Sequence, residues 1–322
     1  MTGEPWLLLA ALGLDALAGE PAWLYRRVPH PVVLCGKAVA LADRHLNRAD
    51  RPAWWRRVLG TGFVLVLVAA AAGLGAVFQA VFRSSPWLAP LEAVVAAMLL
   101  AGRSLHDHVA GVAQALRRGG VVDGRRAVAG IVGRDPARLD EPGVVRAAIE
   151  TLAENASDGV VAPALAYLVL GLPGLFAYKA VNTADSMIGH RDARHRAFGW
   201  AAARLDDLLN WVPARLTALA IAAGAVDPGW DTAPTRRAWR CARRDAPRHR
   251  SPNAGWPEAA MAGGLGVRLG GPRRYGALAV TGAWLGDGRR RAAPADITAA
   301  LGVYRRALGV VAFAVLCLAV LG

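Results

Sequence analysis

Three carboxylates fall within nine residues of the stretch ETLAENASDGVVAP, which begins at Glu150 and leads directly into uncharged sequence. Glu150, Glu154 and Asp158 have i, i+4, i+8 spacing, which places them along one stripe of a helix. Like charges at this spacing repel each other, so the stripe is favourable only beside a cation. Magnesium prefers oxygen ligands, and Asn155 adds a neutral amide to the carboxylates. The stripe therefore indicates a divalent-cation site, with a solvated helix face as the alternative.

A second polar group follows the uncharged sequence, in the stretch YKAVNTADSMIGHR of residues 178–191. Asn182, Asp185 and Ser186 share the i, i+3, i+4 spacing of one helix face, and Lys179 lies about one turn before them. Dense polar residues beside apolar segments are functional candidates. Lys179 has two candidate partners, a phosphate group or the carboxylate of Asp185. The alternative is a lysine whose ammonium extends to lipid headgroups.

Asp206, Asp207 and Asn210 repeat this pattern of carboxylate and amide at an apolar boundary, in the stretch ARLDDLLNWVPAR. Arg204 and Arg215 flank them and supply positive charge. The three residues are candidates for substrate binding, but helix capping or a salt bridge explains them equally well.

The stretch SPNAGWPEAAMAGGLGVRLGG, which begins at Ser251, is rich in Gly, Pro and Asn. Ser251 and Asn253 lie in a predicted turn whose exposed backbone N–H groups a phosphate or a large ligand can approach. Trp256 and Glu258 follow the turn and are further binding candidates. His30 precedes a proline and is a candidate base or ligand, although an isolated histidine at such a position is more often structural.

The composition indicates that the elements holding these residues lie in a membrane. The chain has 322 residues, of which 55% are hydrophobic, and its mean hydropathy is +0.30. Its formal net charge of +14 comes from basic loops between apolar segments, which is typical of a membrane protein with cytoplasmic basic loops. These loops match no nucleic-acid-binding module, so nucleic acid is not an expected partner. The widely spaced cysteines predict neither a disulfide framework nor a zinc site.

The apolar segments predict an all-α, multi-pass helical bundle with about four to six embedded segments and cytoplasmic helical loops. We expect one integral membrane domain over residues 1–322. Residues 59–82 form the clearest transmembrane helix, and residues 88–102 are a candidate return crossing. Two further apolar segments are residues 275–286 and 307–322.

The topology depends on two segments that contain or adjoin polar motifs. GLPG at residues 171–174 predicts that residues 159–178 form a kinked, broken or re-entrant helix. Residues 159–178 and 208–226 either both cross the bilayer or both re-enter it. We prefer the second arrangement, because it lets every polar motif meet on one side of the membrane.

Six stretches of the chain together resemble the adenosylcobinamide-phosphate synthase family, the membrane-bound amide-forming enzymes of cobalamin biosynthesis. They follow the order of the family and extend over nearly the whole chain, so the set is far more specific than any single stretch. Ala184 and His190 depart from the family's pattern without affecting the assignment. The stretches are LLLAALGLDALAGEP (7–21), HPVVLCGK (30–37), ETLAENASDGVVAP (150–163), AYKAVNTADSMIGHR (177–191), ARLDDLLNWVPAR (203–215) and SPNAGWPEAAMAGGLGVRLGG (251–271).

The resemblance implies a multi-pass protein of the cell membrane that joins a carboxylate of adenosylcobyric acid to (R)-1-amino-2-propanol or its O-phosphate. ATP supplies the energy, the product is adenosylcobinamide or its phosphate, and other membrane-bound cobalamin enzymes are candidate partners. A carboxylate reacts with an amine too slowly to be useful, so we expect phosphorylation to an acyl phosphate first. That step needs Mg²⁺ and cationic side chains to neutralise the phosphate charge.

On this hypothesis the polar motifs divide the work on the cytoplasmic side of the membrane. The acidic stripe holds Mg²⁺ or the incoming ammonium, Asp185 is a second metal candidate, and Lys179 and nearby arginines hold phosphate. Which carboxylate is the base is left open. The catalytic candidates are Glu150, Glu154, Asp158, Lys179 and Asp185. The candidates for binding substrate or nucleotide are Asn155, Asn182, Ser186, Arg191, Asp206, Asp207, Asn210, Ser251, Asn253, Trp256, Glu258 and His30.

Two other function classes compete with the enzyme. A transporter or channel would explain broken helices that carry polar residues, but the sequence has no inverted repeat and its polar motifs gather at segment ends. An assembly factor without catalysis would not need so many carboxylates.

Overall fold

The computed structural model describes residues 3–20, 25–27, 29–132, 136–226, 229, 231–275, 278–280 and 282–321. Most of them are helical, which confirms the predicted all-α bundle. The α-helices are α1 (Pro5–Ala18), α2 (Pro31–Leu46), α3 (Ala53–Arg83), α4 (Ala89–Leu99), α5 (Gly102–Ala129), α6 (Glu141–Ala156), α7 (Ala162–Ile188), α8 (His195–Phe198), α9 (Trp200–Leu209), α10 (Trp211–Gly224), α11 (Ala233–Asp245), α12 (Gly255–Leu265) and α13 (Pro294–Leu321).

Three helical segments of the described residues are long and apolar enough to cross a membrane: Ala53–Arg83, Glu141–Ile188 and Pro294–Leu321. The first contains the predicted transmembrane helix of residues 59–82 and confirms it. Only 11% of its most apolar part is buried inside the protein, as expected for a helix whose side chains face lipid. α4 has 11 residues and is about 17 Å long, so the predicted return crossing of residues 88–102 is instead a short helix.

The predicted break in the segment of residues 159–178 is present at Gly171. This residue has φ 67° and ψ −151°, a conformation that interrupts the helix and that a residue with a Cβ rarely adopts. The freed backbone N–H of Leu172 donates a 2.8 Å hydrogen bond to Oε1 of Gln79 on α3. Pro173, which follows, has no N–H to satisfy. Gln79 therefore stabilises a broken helix that would otherwise leave a polar group unpaired in apolar surroundings.

The carboxylate-bearing stretch of residues 150–158 ends in a π-helical turn, Ser157–Val161, between α6 and α7. Asp140 accepts a hydrogen bond from the Gly143 N–H and fixes the start of α6. A π-turn inserts an extra residue per turn and is frequent at functional sites. It also alters the helical spacing on which the predicted stripe depends, because Asp158 lies within it.

Residue contacts divide the chain into two compact units. Unit 1 comprises Met1–Ala101, Ala162–Asn210 and Val315–Gly322. In this unit α3 packs along α7, where Gly75 approaches the backbone of Leu172 too closely for any side chain. One of its cores includes the fully buried Leu8, Tyr167 and Leu175.

Unit 2 comprises Gly102–Val161 and Trp211–Ala314. α12 packs against α11, α10 and α6, and the core includes the fully buried Ile149, Met261 and Tyr304. Both units combine separate stretches of the chain. The single membrane domain over residues 1–322 remains a prediction.

Small antiparallel ladders occupy the region that the sequence presented as a short apolar segment of residues 275–286. Strand β1 (Leu269–Gly270) pairs with β4 (Trp284–Leu285), and β2 (Arg273–Tyr275) pairs with β3 (Leu278–Val280). The described residues of this segment, 275, 278–280 and 282–286, therefore form strands and turns and not an embedded helix. The paired strands place the backbone of β1 beside α6, where it contacts the acidic stripe.

Candidate functional site

In unit 1, the structure brings together predicted polar residues of α7 and α9. Asn182 Nδ2 donates to Asp206 Oδ1 over 3.4 Å, and the Tyr178 hydroxyl donates to Asn210 Oδ1 over 2.9 Å. Asp206 and Asn210 are both buried. The two helices thus hold carboxylate and amide groups in a largely desolvated cluster.

The carboxyl of Asp206 is strongly perturbed by its surroundings. Burial, followed by the nearby charge of Asp185, raises the pKa of Asp206 to about 7, although hydrogen bonding from Asn210 and Asn182 opposes the rise. Near neutral pH this group can therefore bind or release a proton. The pair of carboxyls is suited to holding a cation or a proton.

The other predicted residues of unit 1 have different surroundings. Ser186 donates its hydroxyl to the Asn182 carbonyl over 2.6 Å, and Asp207 pairs with Arg204 over 2.7 Å. Lys179 borders an apolar cavity of about 250 Å³ between α2, α3 and α7. Arg191 is exposed after the end of α7.

His30 uses both of its ring nitrogens in contacts within unit 1. Nδ1 accepts a 3.1 Å hydrogen bond from the Val32 N–H and so caps α2, while Nε2 lies 2.9 Å from the Met98 carbonyl oxygen. These contacts favour the structural interpretation of His30 over a role as base.

In unit 2, the three carboxylates of the acidic stripe differ in burial and in their contacts. Glu150 is buried and its Oε1 accepts a 2.7 Å hydrogen bond from the Gly270 N–H of β1. Glu154 is exposed, and Asp158 is half-buried at the π-turn. Asn155 donates its amide to the Thr151 carbonyl over 3.0 Å. Glu150 therefore anchors β1, whereas Glu154 and Asp158 are better placed to meet a ligand.

Within the described ranges, no group of three or more His, Cys, Asp or Glu side chains is placed to hold a metal ion. Magnesium that is bound with a nucleotide usually takes only one or two carboxylates, with phosphate oxygens and water completing its shell. Glu154 and Asp158 are hard oxygen donors of this kind, so the donor set fits a magnesium–nucleotide complex rather than a metal held by protein alone.

The predicted turn at Ser251 uses its backbone N–H groups internally. Ser251 Oγ accepts hydrogen bonds from the N–H of Asn253 and the N–H of Ala254, each over 3.2 Å. These two N–H groups therefore already have an acceptor within the turn, contrary to the predicted exposure to a phosphate. Asn253 and Glu258 are buried, and His249 Nε2 lies 3.8 Å from Glu258 Oε1. The turn mainly serves to begin α12.

Trp256 belongs to a stack of aromatic and guanidinium groups that sequence reasoning missed. The Arg215 guanidinium lies 4.7 Å from the Trp256 ring centroid and 4.1 Å from that of Trp211. The Trp239 ring, on α11, is 6.3 Å from Trp256. The dense Arg and Trp content of residues 211–256 was the signal that could have revealed it.

A second missed network surrounds Asp43 on α2. Asn47 and Arg194 donate hydrogen bonds of 2.6 Å to its carboxylate, and His195 Nε2 lies 3.6 Å away. Burial alone would raise the pKa of Asp43, but the hydrogen bonds from Asn47 and Arg194 outweigh it and hold the pKa below its ordinary value. Because Arg194 and His195 are distant from Asp43 in sequence, no local motif reveals this network.

Comparison with known proteins gives a consistent result. A family model described as CobD/Cbib protein matches residues 8–304. The cobalamin biosynthesis protein CobD of Rhizobium meliloti strain 1021 is 54% identical over 311 residues, which cover 96% of this chain and 94% of the relative. The protein of the same name from Brucella suis biovar 1 is 53% identical and covers 92% of this chain and 90% of its own. The protein of the same name from Rhodobacter capsulatus is 45% identical, and the match covers 94% of this chain and 93% of the relative. No solved structure matches the chain.

Proposed function

Because the chain belongs to the CobD/Cbib family, whose relatives above are cobalamin biosynthesis proteins, we propose that it forms an amide bond on a corrinoid. The proposed reaction joins a carboxylate of adenosylcobyric acid to (R)-1-amino-2-propanol or its O-phosphate, at the expense of ATP. The observation that carries the proposal is the family match over nearly the whole chain, which includes every polar motif described above.

The reaction proceeds in two steps. A corrinoid carboxylate oxygen attacks the γ-phosphorus of ATP, which gives an acyl phosphate and ADP. The amine nitrogen then attacks the acyl carbon, the C–N bond forms, and inorganic phosphate leaves. The ammonium form of the amine must give up a proton before it can attack, so a nearby carboxylate must accept that proton.

Glu154 and Asp158 are the residues that would hold Mg²⁺, because Glu154 is exposed and Asp158 is half-buried at the π-turn, whereas Glu150 is buried. When bound with nucleotide, the metal neutralises charge on the phosphate oxygens. Glu150 acts as a positioning residue for β1. Asp185 and Asp206 form the carboxyl pair that can bind the ammonium of the amine or accept a proton.

The test is turnover by the purified, detergent-solubilised protein. Given adenosylcobyric acid, MgATP and either aminopropanol or its O-phosphate, the protein should release ADP and form amide in equal amounts. Comparison of the two amines identifies the natural acceptor. No turnover by correctly folded protein with either amine would overturn the proposal.

A pair of variants tests the metal assignment separately. Glu154→Gln removes a charge at the π-turn end of α6, and we expect it to lower turnover at least tenfold. Glu141→Gln is the matched control, because it removes an exposed carboxylate from the start of the same helix. If Glu154→Gln kept full turnover, Glu154 would not be a metal ligand, while the amide-forming function would stand.

We also propose that the protein is a multi-pass protein of the cell membrane with its site on the cytoplasmic side. α3 carries Arg56 and Arg57 near its N-terminal end, whereas Arg83 at the other end is paired with Glu92. Unpaired positive charge favours the cytoplasmic face, so the start of α3 would face the cytoplasm.

A transporter is the second candidate, because α7 is broken at Gly171 within an apolar segment. Proteoliposomes separate the two functions. Movement of a corrinoid across the bilayer without amide formation would favour the transporter, and amide formation without net movement would favour the enzyme.

A further inference from the structure

The arginines of α11 fall into two groups. Arg237 and Arg244 are used to hold the fold of unit 2. Arg237 Nε donates to the Gly263 carbonyl over 2.5 Å, and Arg244 pairs with Asp245 over 2.8 Å and with Asp287 over 3.1 Å. These contacts explain two of the positive charges on this helix as structural.

Arg236, Arg240 and Arg243 form the second group. All three are exposed, and none makes an ion pair with any residue that the structure describes. Within the described part of the chain, the one hydrogen bond of their side chains is that from Arg240 Nε to the Arg236 carbonyl, over 3.4 Å. Concentrated positive charge that the fold does not use is available to an anionic ligand.

Two of these arginines share a concave surface with a tryptophan. Arg236, Trp239 and Arg240 have i, i+3, i+4 spacing and, with Ala233, line a groove of about 450 Å³. This volume lies within the range of about 300–1,000 Å³ that is typical of small-molecule sites. Arg243 does not line the groove.

The indole of Trp239 is supported from behind. It is half-buried, and its ring lies 6.3 Å from Trp256, which in turn contacts the Arg215 guanidinium. The groove therefore has one half-buried aromatic wall and two exposed cations. It adjoins the start of α12, where the sequence predicted nucleotide or corrinoid binding.

The chemistry of the groove selects among the proposed substrates. Guanidinium groups bind phosphate oxygens through paired N–H donors, and an indole stacks on a planar base. The ammonium group of unphosphorylated aminopropanol would be repelled by the guanidinium groups. The N-terminal end of α11 adds little attraction for anions, because Asp231 already accepts a 2.8 Å hydrogen bond from the Ala233 N–H at that end. The side chains alone must therefore provide the binding.

We propose that Arg236, Trp239 and Arg240 bind ATP, with the base on the indole and the phosphates on the guanidinium groups. The inference rests on the ATP-dependent reaction proposed above and assigns its nucleotide to a surface of unit 2. Binding of this kind weakens with salt, because phosphate attraction is screened.

The test measures nucleotide binding directly, without turnover. A fluorescent ATP analogue is titrated into the full-length protein in detergent, with binding followed by its anisotropy. We expect Arg236→Ala with Arg240→Ala to weaken binding at least tenfold, and Trp239→Ala to weaken it about tenfold, while Trp239→Phe retains most of the affinity. Arg243→Ala is the matched control and should remain within about twofold of wild type.

Several results would overturn the inference. These are no binding by wild-type protein, wild-type affinity in the double variant, or an equal loss in Arg243→Ala, which would indicate general attraction by the helix. Nanodiscs of neutral and of anionic lipid test whether the arginines contact the membrane instead. If the double variant lost a preference for anionic lipid but kept wild-type nucleotide binding, the inference would also be overturned. Binding without amide formation would reject the proposed reaction alone. Amide formation with unchanged binding in the double variant would reject this site alone.

Discussion

Arg83 and Glu92 form a bidentate ion pair in unit 1, with hydrogen bonds of 2.9 Å and 2.8 Å from the guanidinium to the carboxylate. The Tyr167 hydroxyl donates a third hydrogen bond, of 2.7 Å, to the same carboxylate. Glu92 is completely buried. One carboxylate therefore ties the end of α3 to α4 and α7, and an acid in a short apolar segment has a structural explanation.

Removal of the buried charge should destabilise unit 1. Glu92→Ala leaves Arg83 and the Tyr167 hydroxyl without their shared acceptor, so we expect a loss of about 3 kcal/mol in the free energy of unfolding. Tyr167→Phe removes only one hydrogen bond and should cost about 1 kcal/mol. Thermal unfolding of the detergent-solubilised variants measures both. Equal Tm values for Glu92→Ala and wild type would contradict the role of this ion pair.

The break in α7 should resist substitution at Gly171. An alanine there must adopt a positive φ, and its Cβ would collide with the Gln79 side chain that satisfies the Leu172 N–H. We expect Gly171→Ala to cost about 1–3 kcal/mol in the free energy of unfolding. Gly73→Ala is the control, since a Cβ at Gly73 meets nothing within 4 Å. A similar Tm shift for the two variants would show that the broken backbone is not required.

Acid should weaken unit 2 through Asp245. Burial raises the pKa of this carboxyl, but hydrogen bonds from Arg244, the Gly286 N–H and Arg248 outweigh burial and hold the pKa below its ordinary value. A lowered folded-state pKa stabilises the protein above the unfolded value of about 3.9 and loses this effect as pH falls through the folded value. Asp245→Asn should therefore cost about 2 kcal/mol at neutral pH and progressively less in acid. A Tm difference that stayed constant from neutral to acidic pH would contradict this.

Asp206 should have the opposite pH dependence. Its pKa is raised to about 7 by burial and by Asp185, so its protonated form is favoured in the folded protein. The stabilising contribution is fully present below the unfolded pKa of about 3.9 and is lost as pH rises through about 7. In metal-free buffer, Asp206→Asn should raise the Tm relative to wild type above neutral pH, and the gain should shrink below it. A gain independent of pH would show that Asp206 does not titrate in this range.

Local sequence patterns predicted the features that depend on neighbouring residues. The uncharged run of residues 59–82 is long enough to predict a transmembrane helix. The Gly and Pro of GLPG predict a break in the helix that contains them, and the break is at Gly171. The polar stretches on α7 and α9 were correctly expected on helices. Their spacing showed which residues share a helix face, but not which residues that face contacts.

The features that were missed depend on contacts between distant residues. Glu150 looked like one member of a carboxylate stripe, but its partner is the Gly270 N–H, 120 residues away. Glu92 meets Tyr167 across 75 residues, and Asp43 meets Arg194 across 151. The π-turn at Asp158 changes the spacing that the stripe assumed. Hydropathy and helical periodicity contain no information on such pairs.

In the proposed reaction, ATP activates a corrinoid carboxylate for attack by an amine. Adenosylcobyric acid labelled with ¹⁸O in its free carboxylate tests it most directly, with the purified protein, MgATP and the amine. We expect ADP, amide, and inorganic phosphate that carries one ¹⁸O atom from the carboxylate. Unlabelled phosphate, or label found in AMP instead, would contradict it.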